Sequence, residues 1–252
     1  MAHRFFVAPE KIEGDTIEIT GEDVRHIVKV LRLKNGDEVI IADGTGQEYY
    51  GKLAAAKKER VTVKVERKAF AASEPPVKVT LLQGIPKGDK MELIVQKCTE
   101  LGIFRIVPVA AARTIVQLSP EKARNRVERW QRVAEEAAKQ SQRAIIPRVE
   151  EVRTVEAAIS KFGQGLMLVP WEEERSRTMK EVLQQHGQAK DVTLLIGPEG
   201  GLEASEVELA MSQNAVPVTL GPRILRTETA GWAALTMILY ELGDLGGTKV
   251  GS

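Results

Sequence analysis

The chain has 252 residues, of which 43% are hydrophobic and 28% charged, a balance typical of a soluble globular protein with a substantial core. Its formal net charge of +1 argues neither for nor against a nucleic-acid partner. Cys98 is the only cysteine, which excludes an intrachain disulfide and a thiolate metal cluster. No apolar run approaches the roughly 20 residues of a membrane span. We therefore expect a cytoplasmic protein with no membrane or metal partner.

The N-terminal part, up to about Lys68, is predicted to be mostly β structure. A helix is predicted over Glu22–Leu33, and strands over Asp37–Asp43, Gln47–Leu53 and Arg60–Val65. Small residues then give way to Pro75-Pro76, a composition typical of a linker. The sequence therefore predicts a small β domain over residues 1–72 and a second domain over residues 73–252.

From Val77 onward, predicted strands alternate with predicted helices. The strands are expected at Val77–Leu82, Phe104–Val109, Leu166–Val169, Val192–Ile196 and Val216–Leu220. One helix is expected after the N-cap Asp89, and another after the N-cap Ser119, ending at about Gln140. Two more are expected over Glu203–Gln213 and Thr229–Leu242. This alternation predicts a parallel sheet covered by helices on both faces.

The segment between Lys122 and Arg153 is locally basic. It contains nine basic residues against five acidic ones, and several of the cations fall on one side of the predicted long helix. Such an excess is typical of a solvated helix face, and it is also typical of a surface that contacts phosphates. Composition alone leaves both interpretations open.

Two apolar runs near the C-terminus end in Gly-Pro and are followed by predicted helices. They are Leu194–Ile196 before Gly197-Pro198-Glu199-Gly200-Gly201, and Leu220 before Gly221-Pro222-Arg223-Ile224-Leu225-Arg226-Thr227-Glu228-Thr229-Ala230. Two such breaks side by side predict a small cavity lined by main-chain groups. The spacing fits neither a Rossmann fingerprint nor a P-loop, and the chain has no zinc motif and no nucleophile elbow.

The same two motifs closely resemble the C-terminal signature of the SPOUT RNA methyltransferases, and most closely the RsmE family of 16S ribosomal RNA uridine N3-methyltransferases. Further similar segments are Gly84-Ile85-Pro86-Lys87-Gly88-Asp89-Lys90-Met91-Glu92, Gln96–Gly102, Ala111-Ala112-Arg113 and His26–Arg32. The resemblance covers nearly the whole chain. It departs from the family pattern at Lys139 and Ala144, at the end of the long helix.

The resemblance implies a PUA-like β-barrel domain that holds RNA, followed by an α/β methyltransferase domain with a parallel sheet and a deep trefoil knot. It implies a homodimer that acts on 16S rRNA in the small ribosomal subunit. It also implies that three loops hold S-adenosylmethionine, and carried over by position the cofactor-binding residues are Pro170, Glu172, Gly197, Pro198, Glu199, Gly200, Leu220, Gly221, Ile224, Leu225 and Thr229.

The implied reaction moves a methyl group to uracil N3, which carries a proton at neutral pH. A base must take that proton, or a cation must stabilise the anion that forms. We expect Arg226 and Arg143 to be the cations and Glu228 to be the candidate acid–base group. For Glu228, capping of the helix start is the alternative interpretation.

The expected RNA contacts are Arg4, His26 and Arg32 in the first domain and Lys87, Lys90 and Arg113 in the second. For the Lys and Arg residues the alternative is an ordinary exposed charge, the commoner fate of such residues, and for His26 it is a structural histidine. Two other functions stay open: a related methyltransferase acting on another RNA, such as a tRNA ribose, and a non-catalytic RNA-binding assembly protein.

Overall fold

The computed structural model describes residues 2–57, 59–115 and 118–247, which divide into two compact units. The first unit contains the chain up to Glu74 together with Ala138–Ile146. The second contains Pro75–Ala137 and the chain from Pro147 onward. The division differs from the sequence-based one in residues 73–74 and 138–146, which belong to the first unit. Hydrogen bonds from the backbone of Ala144 and Ile145 to the Glu74 carboxylate tie the second of these segments to that unit.

The first unit is built on a six-stranded sheet. Its strands are β1 (His3–Phe6), β2 (Ile12–Glu13), β3 (Thr16–Thr20), β4 (Glu38–Ala42), β5 (Gln47–Ala56) and β6 (Arg60–Phe70). They follow the order β1-β4-β5-β6-β3-β2, with β1 parallel to β4 and the other neighbours antiparallel. The first three strands were not predicted individually from the sequence.

Alternation along β6 builds the core of this unit. Val61 and Val63 are fully buried and pack with Ile17 and Ile19 of β3, as the period-two pattern predicts. A single-turn 3₁₀ helix, Pro9–Lys11, lies between β1 and β2.

The segment predicted as one helix over residues 22–33 is a composite. A short α-helix, α1 (Glu22–Arg25), runs into a π-helical segment, His26–Leu31. Arg32 has a φ of 53°, and a left-handed residue cannot continue a right-handed helix. The helical structure therefore ends two residues earlier than expected.

The second unit contains a seven-stranded sheet in which every strand pair is parallel, as predicted. The strands are β7 (Lys78–Gly84), β8 (Arg105–Ala110), β9 (Arg148–Val149), β10 (Arg153–Thr154), β11 (Leu166–Pro170), β12 (Asp191–Ile196) and β13 (Val216–Val218). The order is β10-β8-β7-β12-β11-β13, and β9 pairs with β8.

Among the described residues, the helices that accompany this sheet are α2 (Lys90–Leu101), α3 (Pro120–Gln140), α4 (Val155–Phe162), α5 (Met179–Gln185), α6 (Ala204–Ser212) and α7 (Thr227–Leu242). The last three residues of α3 belong to the first unit. Leu81 and Leu194 belong to one hydrophobic core, and their neighbours Leu82 and Leu195 belong to another. Because adjacent residues of a strand point to opposite faces, both faces of the sheet are covered. This explains why the central strands are continuous apolar runs.

Several boundaries differ from the predictions. Helices α4 and α5 were not predicted, β13 ends at Val218 rather than Leu220, and α7 begins at Thr227 rather than Thr229. Asp89 is the N-cap residue of α2, but its side chain makes no capping hydrogen bond. Within the described ranges, no helix is both long and apolar enough to cross a membrane.

Candidate active site

Three loops of the second unit meet at one edge of its sheet. They follow β11, β12 and β13, which are adjacent and parallel, so their carboxyl ends lie together. The loops surround a cavity of about 910 Å³. This is the edge where the two Gly-Pro breaks predict a cavity lined by main-chain groups.

The loop after β12 packs against neighbouring backbone so closely that it requires glycine. A Cβ on Gly84, at the end of β7, would lie 2.5 Å from the nitrogen of Pro198. A Cβ on Gly197 would lie 2.8 Å from the carbonyl carbon of Gly201. Glycine at these positions lets the backbone turn beside the cavity without a side chain in the way.

A buried chain of hydrogen bonds joins this loop to α7. The Gln83 amide nitrogen donates to the Thr227 hydroxyl at 2.9 Å, and that hydroxyl donates to the Gly197 carbonyl oxygen at 2.6 Å. Gln83 is fully buried, and its amide nitrogen also donates to the Gly84 carbonyl at 3.0 Å. The end of β7, the start of the second loop and the first residue of α7 are thereby fixed together.

Lys90 connects the same loop to α7 from the rim of the cavity. Its ammonium lies 2.9 Å from a carboxylate oxygen of Glu199 and 3.7 Å from one of Glu228. The hydrogen bond with Glu199 raises the pKa of Lys90. Burial opposes ionisation of Glu199, but the hydrogen bonds from Lys90 and from the Lys87 backbone lower the pKa of its carboxyl overall. The pair is therefore charged at neutral pH.

The loop after β11 is held by its own side chains. Glu174 accepts hydrogen bonds from the Ser176 backbone and hydroxyl, each at 2.7 Å, and from the Arg177 backbone at 3.0 Å. The hydrogen bonds from Ser176 lower the pKa of Glu174 to about 2. The backbone nitrogen of Trp171 donates to the Val218 carbonyl, which joins this loop to the end of β13.

The structure brings together most of the residues expected to hold the cofactor. Those that line the cavity are Pro170, Glu172, Gly197, Pro198, Glu199, Leu220, Gly221, Ile224 and Leu225. Gly200 and Thr229 are not among the lining residues. Gly200 packs instead against Arg113, and Thr229 is exposed on α7.

The three candidate catalytic residues have different surroundings. Arg226 is exposed and lines the cavity. Glu228 lies in the first turn of α7 and is not among the residues that line the cavity; its Oε2 is buried, 3.7 Å from the Lys90 ammonium, with no hydrogen-bond partner within the described residues. Arg143 belongs to the first unit, where its guanidinium lies 2.7 Å from Glu74 and its side chain is almost fully buried. This ion pair gives Arg143 a structural role in that unit.

The candidate RNA contacts are divided between the two units. In the first, Arg4 forms a 2.7 Å ion pair with the buried Glu48, whereas His26 and Arg32 are exposed. In the second, Lys87 is exposed, Lys90 lines the cavity, and Arg113 donates to the Gly200 carbonyl at 2.9 Å. Arg4, Lys90 and Arg113 therefore already have protein partners.

The cavity also has contributors that were not predicted as site residues. Those outside the three loops that the family resemblance implies are Glu174, Arg175, Ile196, Leu202, Thr219 and Ala230, together with Gln83 beneath them. Trp171, Gly201, Pro222, Arg223 and Thr227 lie within those loops but were not named individually as cofactor-binding residues. Gln83 had a visible signal, because it is a lone amide in an apolar strand and such a group needs buried partners. In the described ranges, no group of three or more His, Cys, Asp or Glu residues is arranged to hold a metal ion.

Comparison with known proteins decides the family. Residues 73–239 match the RNA methyltransferase domain family, and residues 19–66 match the RNA methyltransferase PUA domain family. The chain is 39% identical to the ribosomal RNA small subunit methyltransferase E of Bacillus subtilis, over 94% of each chain. It belongs to that family. A second member, from Synechocystis, is 35% identical over 94% of this chain and 77% of its own length.

One solved structure of the family contains a bound cofactor. The ribosomal RNA small subunit methyltransferase E from Neisseria gonorrhoeae bound to S-adenosyl methionine is 30% identical, with a TM-score of 0.83 over 97% of this chain and 100% of that one. The comparisons confirm the predicted family, the predicted class of enzyme, and the fold class of a PUA-like domain followed by a parallel-sheet α/β domain.

Proposed function

We propose that this protein transfers a methyl group from S-adenosylmethionine to N3 of a uridine in the 16S rRNA of the small ribosomal subunit. The observation that carries the proposal is the convergence of three loops on one cavity at the carboxyl ends of β11, β12 and β13. The family name of the relatives and the cofactor in the Neisseria gonorrhoeae structure support the same assignment.

The cavity fits this cofactor. Its volume of about 910 Å³ is within the range of small-molecule sites. Leu220, Ile224 and Leu225 offer apolar surface to a flat adenine ring, and the adjacent main chain offers donors and acceptors for its edge. Glu172 and Glu199 offer carboxylates to a cationic ligand.

When bound, S-adenosylmethionine supplies an electrophilic methyl group. The residues of the chain must then free the lone pair of uracil N3. Arg226, which lines the cavity, stabilises the negative charge that develops on the uracil ring. Glu228, in the first turn of α7 and 3.7 Å from Lys90 on the cavity rim, accepts the N3 proton. Lys90 holds Glu228 and Glu199 in place from the rim.

We further propose, from the family resemblance, that the loops form a trefoil knot and that the protein acts as a homodimer in the cytoplasm, where its ribosomal substrate is assembled. Exposed apolar side chains on α2 and α7 support a dimer: Leu93 is 41% exposed, Met237 is 38% exposed and Tyr240 is 68% exposed. Light scattering of the purified protein should give twice the mass of the chain.

The test is transfer of labelled methyl groups to small ribosomal subunits that lack the modification, with naked 16S rRNA and tRNA as parallel substrates. The proposal predicts label in 16S rRNA. Label only in tRNA would favour the related methyltransferase, and no transfer together with no cofactor binding would favour the non-catalytic assembly protein.

The roles of Arg226 and Glu228 are tested with conservative variants. Arg226→Gln and Glu228→Gln should each lower kcat by about 10²-fold or more while the cofactor still binds. For Glu228→Gln, the rise of kcat with pH should also change, because the proposed proton acceptor is gone. An unchanged pH profile would remove Glu228 from the mechanism.

A further inference from the structure

One side of α3 carries a row of cations that the cavity chemistry does not use. Lys122, Arg126, Arg129 and Arg132 are spaced four, three and three residues apart, so they share one side of the helix. We call these four residues the α3 basic stripe. The opposite side carries Arg124 with Glu128 and Glu135, and Glu136, four residues after Arg132, is an acidic residue on the side of the stripe.

Most of the stripe is available to a partner. Arg129 is paired with Glu92 at 2.8 Å. Within the described part of the chain, no carboxylate lies within ion-pair distance of Lys122, Arg126 or Arg132. Lys122 and Arg132 are exposed and Arg126 is half-buried. In a chain with 36 basic and 35 acidic residues, three unpaired cations on one helix face are a local excess of positive charge.

The stripe is linked to the rim of the cavity. Strand β8, which precedes α3 in the chain, ends at the same edge of the sheet as the three loops, and Arg113 after β8 donates to the Gly200 carbonyl of the loop after β12. Farther along, Arg129 binds Glu92 of α2, and α2 begins with Lys90 on the cavity rim. A polymer whose reactive base lies in the cavity would therefore pass near the stripe.

Resting on the proposed function, we propose that the α3 basic stripe binds the phosphate backbone of the substrate RNA next to the methylated nucleotide. Lys122 and Arg129 are about 10 Å apart along the helix axis, given a rise of about 1.5 Å per residue. That length matches a few successive phosphates of a nucleic-acid strand. The positive end of the helix dipole, at Pro120, adds to the attraction. Such contacts position the RNA without reading its sequence.

The test compares two arginines of the same helix. Arg126→Gln removes a stripe cation, and Arg124→Gln removes a cation from the opposite side with the same change in net charge. Binding to a 16S rRNA transcript and to small subunits is measured across a salt series. Arg126→Gln should weaken binding about three- to tenfold at physiological salt and reduce the salt slope by about 0.7–0.9. The double variant Lys122→Gln/Arg126→Gln should reduce the salt slope about twice as much, and Arg124→Gln should leave the salt slope unchanged.

Two further measurements separate this proposal from folding and from the reaction itself. Urea unfolding and cofactor affinity of the stripe variants should match those of the wild type, and kcat at saturating RNA should be retained. Equal losses for Arg124→Gln and Arg126→Gln would mean that only net charge matters and would overturn the proposal. So would a loss seen with subunits but not with the naked transcript, which would indicate a protein partner. Failure of the wild type to methylate rRNA would instead refute the proposed function.

Discussion

Removing the hydroxyl of Thr227 is a small change that we expect to lower the stability of the protein strongly. Thr227→Val keeps the shape of the side chain but removes its hydrogen bonds to Gly197 and Gln83. A hydrogen bond contributes about 1 kcal/mol net, and a buried polar group left without a partner costs about 1–3 kcal/mol. Gln83 is fully buried, so water cannot replace the bond to its amide nitrogen, which keeps only the Gly84 carbonyl as an acceptor. The free energy of unfolding should fall by about 2–4 kcal/mol.

The same substitution should weaken the cofactor site, because it frees the start of the loop after β12. Urea denaturation measures the stability change, and titration calorimetry with S-adenosylmethionine measures the affinity. Thr227→Ser, which keeps the hydroxyl, is the matched control and should retain wild-type affinity. A Thr227→Val protein within about 0.5 kcal/mol of the wild type and with unchanged affinity would refute the structural argument.

Three further predictions follow from other contacts. Gly197→Val should abolish cofactor binding in calorimetry while leaving the oligomeric mass unchanged, because its Cβ would meet backbone atoms at 2.8 Å; normal binding would show that the loop does not form the site. Glu174, whose pKa the Ser176 hydrogen bonds lower to about 2, stabilises the fold above its unfolded pKa of about 4.3, and this contribution is lost as pH falls toward 2. In the Glu174→Gln protein the free energy of unfolding should therefore change less with pH between about pH 4.5 and 2. A pH dependence equal to that of the wild type would contradict this role of Glu174. Arg143→Ala leaves the Glu74 carboxylate without its cation and should cost about 3–5 kcal/mol in urea unfolding, whereas lost kcat at unchanged stability would contradict a structural role.

The sequence predicted the sheet and the main loops because these depend on local patterns. Continuous apolar runs indicated strands buried on both faces, and Gly-Pro breaks indicated where two of them end. Helix α5 was missed although Thr178 and Glu181 form a capping box, a signal that was present in the sequence. The π-helical segment after Arg25 could not be predicted, because nothing in its side-chain pattern distinguishes it from an α-helix.

The candidate site was less predictable wherever a contact joins distant parts of the chain. Whether Arg143 faces a substrate or a buried carboxylate depends on Glu74, which lies 69 residues away. Gly200 falls inside the most informative motif, yet its neighbour is Arg113, which comes from another loop. Such pairings are decided by the path of the chain, and residue type alone does not reveal them.

Methyl transfer to uracil N3 is tested by identifying the nucleoside that carries the new methyl group. Small subunits lacking the modification are incubated with the protein and S-adenosylmethionine, and the 16S rRNA is digested for mass spectrometry. We expect 3-methyluridine at a single position, absent with the Gly197→Val protein. A ribose-methylated nucleoside, or methylation of another base, would contradict it.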